Sequence, residues 1–216
     1  RKKTLTFLTK LNEIDFLELK EELSFYNHIN WELISLNENI KWDVEIIEEF
    51  EGNLNWYNFL YKNKSYSCII NILDDLKNEY SWSIISSDGN LPWSIELIEK
   101  HEDNWSWIGL SLNKKLPWSH EFIEKYKEKW SWDCLSRNKN LPWSIEFIEY
   151  YKDKWDWKSL YENEKLPWTL ELIDKFKDKW DWKELSNNKS LPWSIEFIEK
   201  FENKWDWGFL SLNENL

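Results

Sequence analysis

The sequence predicts an all-α fold: an α-solenoid of stacked short helical hairpins, in about eight repeats of 25 residues. Three observations carry that prediction. Leu-Pro-Trp begins at Leu91, Leu116, Leu141, Leu166 and Leu191, and these tripeptides hold all five prolines of the chain. A second marker falls at Trp31, Trp56, Trp82, Trp107, Trp132, Trp157, Trp182 and Trp207, a constant step of 25 but for one extra residue near Lys62. Third, 19 Trp, 9 Tyr and 11 Phe stand beside only 4 Gly in 216 residues. Aromatic mass for a core is plentiful, whereas the turn residues of an all-β chain are scarce. A fixed period of this length marks a repeat architecture, in which each repeat buries its apolar face against the next.

Residues 1–14 fall outside the period and read as an N-terminal segment or cap, and the array runs over 15–216. Arg1 stands in place of an initiator Met, and Leu216 is the first residue of a ninth repeat. Both lead us to expect a piece of a longer protein, its array cut at the C-terminal end. The early repeats are degenerate, with Ile40-Lys41-Trp42 and Tyr66-Ser67-Cys68 where Leu-Pro-Trp stands later.

The repeat Leu91–Lys115 shows the grammar of one hairpin. Pro92 pushes Leu91 toward extended backbone, and Trp93 precedes Ser94, a residue type that caps helix N-termini. Ile98 lies four residues after that cap, the spacing of a hydrophobic staple. The matching caps are Asp43, Ser119, Ser144, Thr169 and Ser194. Glu96 places negative charge in the first turn, where the helix dipole favours it. Ile95, Leu97, Ile98 and His101 share a face, with Phe50, Tyr126, Tyr151 and Phe176 replacing that His elsewhere. The pattern predicts a first helix of roughly eight to eleven residues.

A second, shorter helix starts the same way, from Trp105 and the cap Ser106 to the staple residue Leu110. Its cap is Asn30, Asn55, Ser81, Ser106, Ser131, Asp156, Asp181 or Asp206, all drawn from the set that accepts a bond from first-turn amides. It ends near Asn113, with Asn37, Asn138, Asn163, Asn188 and Asn213 at the matching place. Asn there is expected in the left-handed conformation that stops a helix, and Asp88-Gly89 does that job in the third repeat. The turn around Asp153-Lys154 carries no breaker. A leucine-rich repeat is the rival, since Leu-Ser-x-Asn could end a strand. Its alternation fails at Ile108, Asp133, Lys158, Lys183 and Gly208, two residues before the Leu. Hairpin repeats of the choline-binding type need glycines this chain lacks.

The pattern Leu-Pro-Trp-Ser-x-Glu, followed by Asp-Lys-Trp-Asp-Trp and Leu-Ser-x-Asn, resembles uncharacterised Trp-rich tandem repeats of large DNA viruses and some bacteria. The resemblance covers about Asp15 to the end and is strong from Leu91. It implies a helical array and supplies no activity.

Chemistry is hard to find in the sequence. The net charge of −12 argues against nucleic acid, whose sequence-independent affinity comes from Lys and Arg. No apolar run approaches the ~20 residues of a membrane span. His28, His101 and His120 fall at different phases of the repeat, and Cys68 and Cys134 lack ligand spacing, so no metal, cofactor or catalytic residue is expected. The carboxylates Glu96, Glu99 and Asp103 recur at constant phase, as caps and pairing partners do. Two free thiols suit a reducing compartment, and a cytoplasmic address is expected.

The positions that vary within a fixed frame are the candidate partner-binding residues. In the second helices these are Ile108, Gly109 and Leu112; Asp133, Cys134 and Arg137; Lys158, Ser159 and Glu162; Lys183, Glu184 and Asn187; and Gly208, Phe209 and Leu212. A groove reading an extended partner would vary in this way, and so would a solvated face under drift. The expected function is a non-catalytic scaffold binding protein or peptide, the sensor or docking part of a larger protein. The alternatives are a glycan- or cell-wall-binding array using exposed Trp and a purely structural spacer.

Overall fold

The computed structural model describes residues 30–216 apart from 38–39, 41, 43, 64–68, 72 and 77–78. The expected cap at 1–14 lies outside the described residues, as do His28, Asp43 and Cys68. Among the described residues every regular element is a helix. The fold is all-α, a solenoid of stacked short helical hairpins. The chain forms two compact bodies, the first within Arg1–Pro92 and Glu96–Ser106, the second within Trp93–Ile95 and Trp107–Leu216.

First helices run Ile95–Lys100, His120–Lys125, Ile145–Tyr150, Leu170–Lys175 and Ile195–Lys200. Ser119, Ser144, Thr169 and Ser194 cap four of them from extended backbone, each side chain accepting the N–H three residues on. These helices are six residues long, shorter than the apolar periodicity predicts. The reason is visible at Tyr126, Tyr151, Phe176 and Phe201. Their rings are buried, but their backbone turns to φ −116°, −108°, −116° and −121° and leaves the helix. The apolar face therefore continues past the helix end into a tight turn, closed in one case by Lys154 N–H to Tyr151 O at 2.9 Å.

Tryptophan closes four of these five helices where glycine usually would, Trp180 Nε1 beside Leu170–Lys175 having no partner. The indole N–H of Trp130 donates to Ile123 O at 3.0 Å, that of Trp155 to Ile148 O at 3.1 Å and that of Trp205 to Ile198 O at 3.1 Å. In the first body Trp105 does the same to Ile98 O at 3.1 Å. Each carbonyl lies in the last turn, where the regular helical ladder runs out, and Ile198 O also accepts Phe201 N–H at 3.3 Å. Trp132, Trp157 and Trp182 cap the following turn through Lys127 O, Lys152 O and Lys177 O. Trp118, Trp143, Trp168 and Trp193 reach back to Asn113 O, Asn138 O, Asn163 O and Asn188 O. One side chain thus supplies both buried area and a cap, which is why 19 Trp coexist with 4 Gly.

The second helices include Trp107–Leu112, Trp132–Arg137, Trp157–Leu160, Trp182–Ser186 and Trp207–Leu210. Asn30, Asn55, Asp156, Asp181 and Asp206 accept first-turn amides as expected. Two expected caps differ. Ser131 makes no capping bond: with ψ near 100° at this position the longer Asp and Asn reach the amides and the shorter Ser does not. Ser81 lies inside the helix Glu79–Ser87.

The terminal Asn also differs from expectation. Asn138 sits at φ −75°, ψ 113°, outside the left-handed region, and is buried. Its Nδ2 donates to Ser111 O at 2.9 Å and Asn113 O at 3.0 Å of the preceding repeat. Its Oδ1 accepts from Asn140 N–H at 3.0 Å. Asn163 and Asn213 repeat the arrangement, and Asn188 bonds Tyr161 O. These asparagines tie one repeat to the next.

A serine ladder runs beside them. Ser136 Oγ donates to Trp132 O at 2.7 Å and accepts from Asp156 N–H, one repeat on, at 3.0 Å. Ser111 serves Ser131 and Ser186 serves Asp206, and in the first body Ser35 serves Asn55 and Ser86 serves Ser106. The apolar complement is a set of edge-on indole pairs: Trp107–Trp130, Trp132–Trp155, Trp157–Trp180 and Trp182–Trp205, with centroids 4.7–4.9 Å apart. A well-placed aromatic pair adds about 0.5–1.5 kcal/mol beyond the area it buries. Lysines span several of the joints, as in Lys175–Glu149 at 2.7 Å and Lys200–Asp174 at 2.9 Å. Such exposed ion pairs contribute little, at most about 1 kcal/mol each.

Candidate binding surface

The frame just described fixes where the variable residues point. Ile108, Asp133, Lys158, Lys183 and Gly208, the first of each trio, are all exposed. So are Leu112, Arg137, Glu162, Asn187 and Leu212, four residues later; Leu112 and Arg137 lie in their helices and share a face with the first position, while Glu162, Asn187 and Leu212 lie just past theirs. The middle positions turn inward: Gly109 and Ser159 are buried, and Cys134, Glu184 and Phe209 are half-buried. The candidate surface is therefore a two-residue-wide stripe, and five of its fifteen expected members lie beneath it.

The stripe is continuous from repeat to repeat. Arg137 Nη2 donates to Asp133 Oδ1 at 2.8 Å within one helix, and its Nε reaches Ser159 Oγ of the next repeat at 2.9 Å. Ser159 in turn donates to Asp156. The Ser159 hydroxyl, with the Lys158 N–H and the Arg137 charge, holds the Asp156 carboxyl below the usual carboxylate range. Lys183 Nζ lies 5.2 Å from the centre of the Phe209 ring, again one repeat on. Position one of a repeat thus meets position two of its successor. Asp133 and Arg137 are partly committed to each other and to Ser159.

Chemically the stripe changes along its length. Ile108 is 63% exposed, Leu112 48% and Leu212 73%, so both ends are apolar. Between them stand Asp133, Arg137, Lys158, Glu162 and Lys183, mixed in sign. Cys134 is a free thiol. Among the described residues no group of three His, Cys, Asp or Glu is placed to hold a metal ion, and no helix is long and apolar enough to cross a membrane.

The other titratable residues named from sequence serve the frame. His101 takes the place of Tyr126 in the repeat, 5% exposed against Trp82 and Trp105, and burial pushes its imidazole pKa below the ordinary value. His120 packs on Tyr150 and Tyr151. Burial, and then the bond its hydroxyl donates to Glu124 at 2.9 Å, push the Tyr151 phenol up.

The sequence alone missed a second surface. At the outer side of the last hairpin, Trp193, Ile195, Ile198, Trp207, Leu210 and Leu216 line an open apolar cavity of about 400 Å³. The signal was available, since Trp207 carries the same repeat position as Trp182.

Comparisons of the chain with protein-family models, with curated proteins and with solved structures found no match.

Proposed function

We propose that the array is a non-catalytic scaffold that binds a protein or peptide along the second-helix stripe. The observation that carries this reading is the separation of frame from variation. The indoles before Trp207, the ladder serines up to Ser186 (Tyr161 standing in for one) and the Asn ties hold constant phase and are buried or half-buried, while Ile108, Leu112, Asp133, Arg137, Lys158, Glu162, Lys183, Asn187, Gly208 and Leu212 change chemistry on one exposed, continuous row. An extended chain laid across such a row meets apolar, then charged, then apolar positions in turn. The net charge of −12 speaks against a nucleic-acid partner. The glycan-binding alternative asks for several open indole faces, and Trp207 is the one exposed Trp of the 19. The kinship with viral and bacterial Trp-rich repeats stays part of this proposal, as does a cytoplasmic address, which suits the free thiol of Cys134.

The test is capture from the native host with the chain and with a variant carrying Ile108→Glu, Leu112→Glu and Lys158→Glu, followed by cross-link mapping. A partner held by the parent chain, lost by the variant and cross-linked to the stripe supports the proposal. A partner held equally by both, or retention of glycan in place of protein, overturns it.

A further inference from the structure

Three joints between repeats of the second body carry the same set of hydrogen bonds. The ladder Ser, at Ser111, Ser136 or Ser186, accepts the N–H at the head of the next second helix. The indole of Trp130, Trp155 or Trp205 closes the first helix beside the joint. The terminal Asn that follows makes two ties back across it, as Asn138, Asn163 and Asn213 do.

The joint between Trp157–Leu160 and Trp182–Ser186 lacks one bond of each kind. Tyr161 takes the ladder place, and its hydroxyl donates to Glu162 beside it at 3.2 Å. Among the described residues the Asp181 N–H has no acceptor. Trp180 Nε1 is buried without a partner. Asn188 keeps a single tie, to Tyr161 O at 2.6 Å. Trp157–Leu160 and Trp182–Ser186 also meet over less backbone than Trp182–Ser186 and Trp207–Leu210, helices of the same lengths. Besides the Asn188 tie, Trp157 still meets Phe176 at 5.0 Å and Trp180 at 4.8 Å, and Lys175–Glu149 and Lys179–Asp153 still pair. Apolar contacts have no fixed direction and tolerate a slide that breaks a hydrogen bond, and local opening follows the weakest boundary.

We propose that this joint is a hinge: the second body opens between Glu162 and Leu166 ahead of its other joints, while the hairpins on either side stay folded. The stripe passes over it, with Lys158 and Glu162 before it and Lys183 and Asn187 after, so opening changes their spacing. The hinge is a property of the frame and stands or falls apart from any partner of the stripe.

Trypsin reads the opening, because cleavage of a folded chain follows the population of its open form. Lys115 and Lys165 are matched sites. Both are exposed, their N–H groups bond Asn113 and Asn163 at 2.9 and 3.0 Å, and each precedes a buried Leu and a Pro. The measurement is the initial cleavage rate at each site in the native full chain, by mass spectrometry, divided by the rate at the same site in the urea-unfolded chain. Two bonds are missing across the hinge and each shifts opening about two- to tenfold, so Lys165 should be cut about tenfold faster than Lys115. Tyr161→Ser should slow cutting at Lys165 about fivefold and leave Lys115 unchanged. Ser111→Ala, which creates the ladder defect at the matched joint, should speed cutting at Lys115 about fivefold. Equal rates at the two sites in the parent chain overturn the proposal, as does a Lys165 preference that Tyr161→Ser leaves intact. If Tyr161→Ser is cut faster at both sites it has lost its fold, and Ser111→Ala decides: no rise at Lys115 then overturns the hinge.

Discussion

Ser136→Ala isolates one rung of the serine ladder. Ser136 is fully buried, and its hydroxyl is the acceptor for Asp156 N–H at 3.0 Å. Its other bond, to Trp132 O, stays within its own helix, where that carbonyl belongs to the helical ladder. Removing the hydroxyl therefore orphans one amide. A buried unsatisfied donor costs about 1–3 kcal/mol. Asp156 is half-buried, which places the cost near the lower end, and Ala returns about 0.5 kcal/mol of helix propensity. The expected net loss is about 1 kcal/mol, a fall in Tm of roughly 2–4 °C for a chain of this size. Ser211→Ala is the internal control, because Ser211 accepts nothing from a following repeat and should change stability by no more than about 0.5 kcal/mol. Thermal and urea unfolding by circular dichroism, with amide exchange read at Asp156, measure both. Equal effects of the two substitutions, or an Asp156 amide as protected as in the parent, would refute the ladder.

Trp155→Phe should cost about 1 kcal/mol more than Trp180→Phe, because the two rings are equally buried but Trp180 Nε1 has no partner to lose; urea midpoints decide. Asn138→Gly, harmless for a left-handed cap, should instead cost about 2–3 kcal/mol through the bonds to Ser111 O, Asn113 O and Asn140 N–H. Stability should fall with acidification below the ordinary imidazole value of 6.5, since the unfolded His101 takes a proton that the buried ring resists. His101→Phe should remove that segment of the pH profile of Tm. Tyr161 stands where the ladder has Ser, so Tyr161→Ser should give Asp181 N–H an acceptor and slow its exchange about fivefold or more.

The period, the helical hairpin and the first-helix caps were legible because each lies within one repeat. Ser119 and Phe122 are three residues apart, and sequence spacing is enough to pair them. What sequence missed depends on partners a full repeat away. Asn138 bonds residues 25 and 27 positions earlier, and Asn suits a left-handed cap equally well, so the local reading chose the wrong one of two adequate roles. Helix length was overread for a related reason: Tyr126 and Tyr151 stay on the apolar face after the backbone has left the helix, and periodicity registers the face. On the stripe, variability identified the right helices but could not separate exposed Lys158 from buried Ser159, since neighbouring residues on a helix differ by about 100° in direction. The indole caps left no spacing signature that distinguishes them from ordinary core Trp.

Hydrogen exchange at the indole Nε1 of each Trp tests the central claim, that tryptophan both fills these joints and closes their helices. The account predicts slow exchange at Trp130, Trp155 and Trp205, whose N–H groups hold Ile123 O, Ile148 O and Ile198 O, and fast exchange at Trp207. Uniformly fast exchange, or a Trp207 indole as protected as that of Trp155, would contradict it.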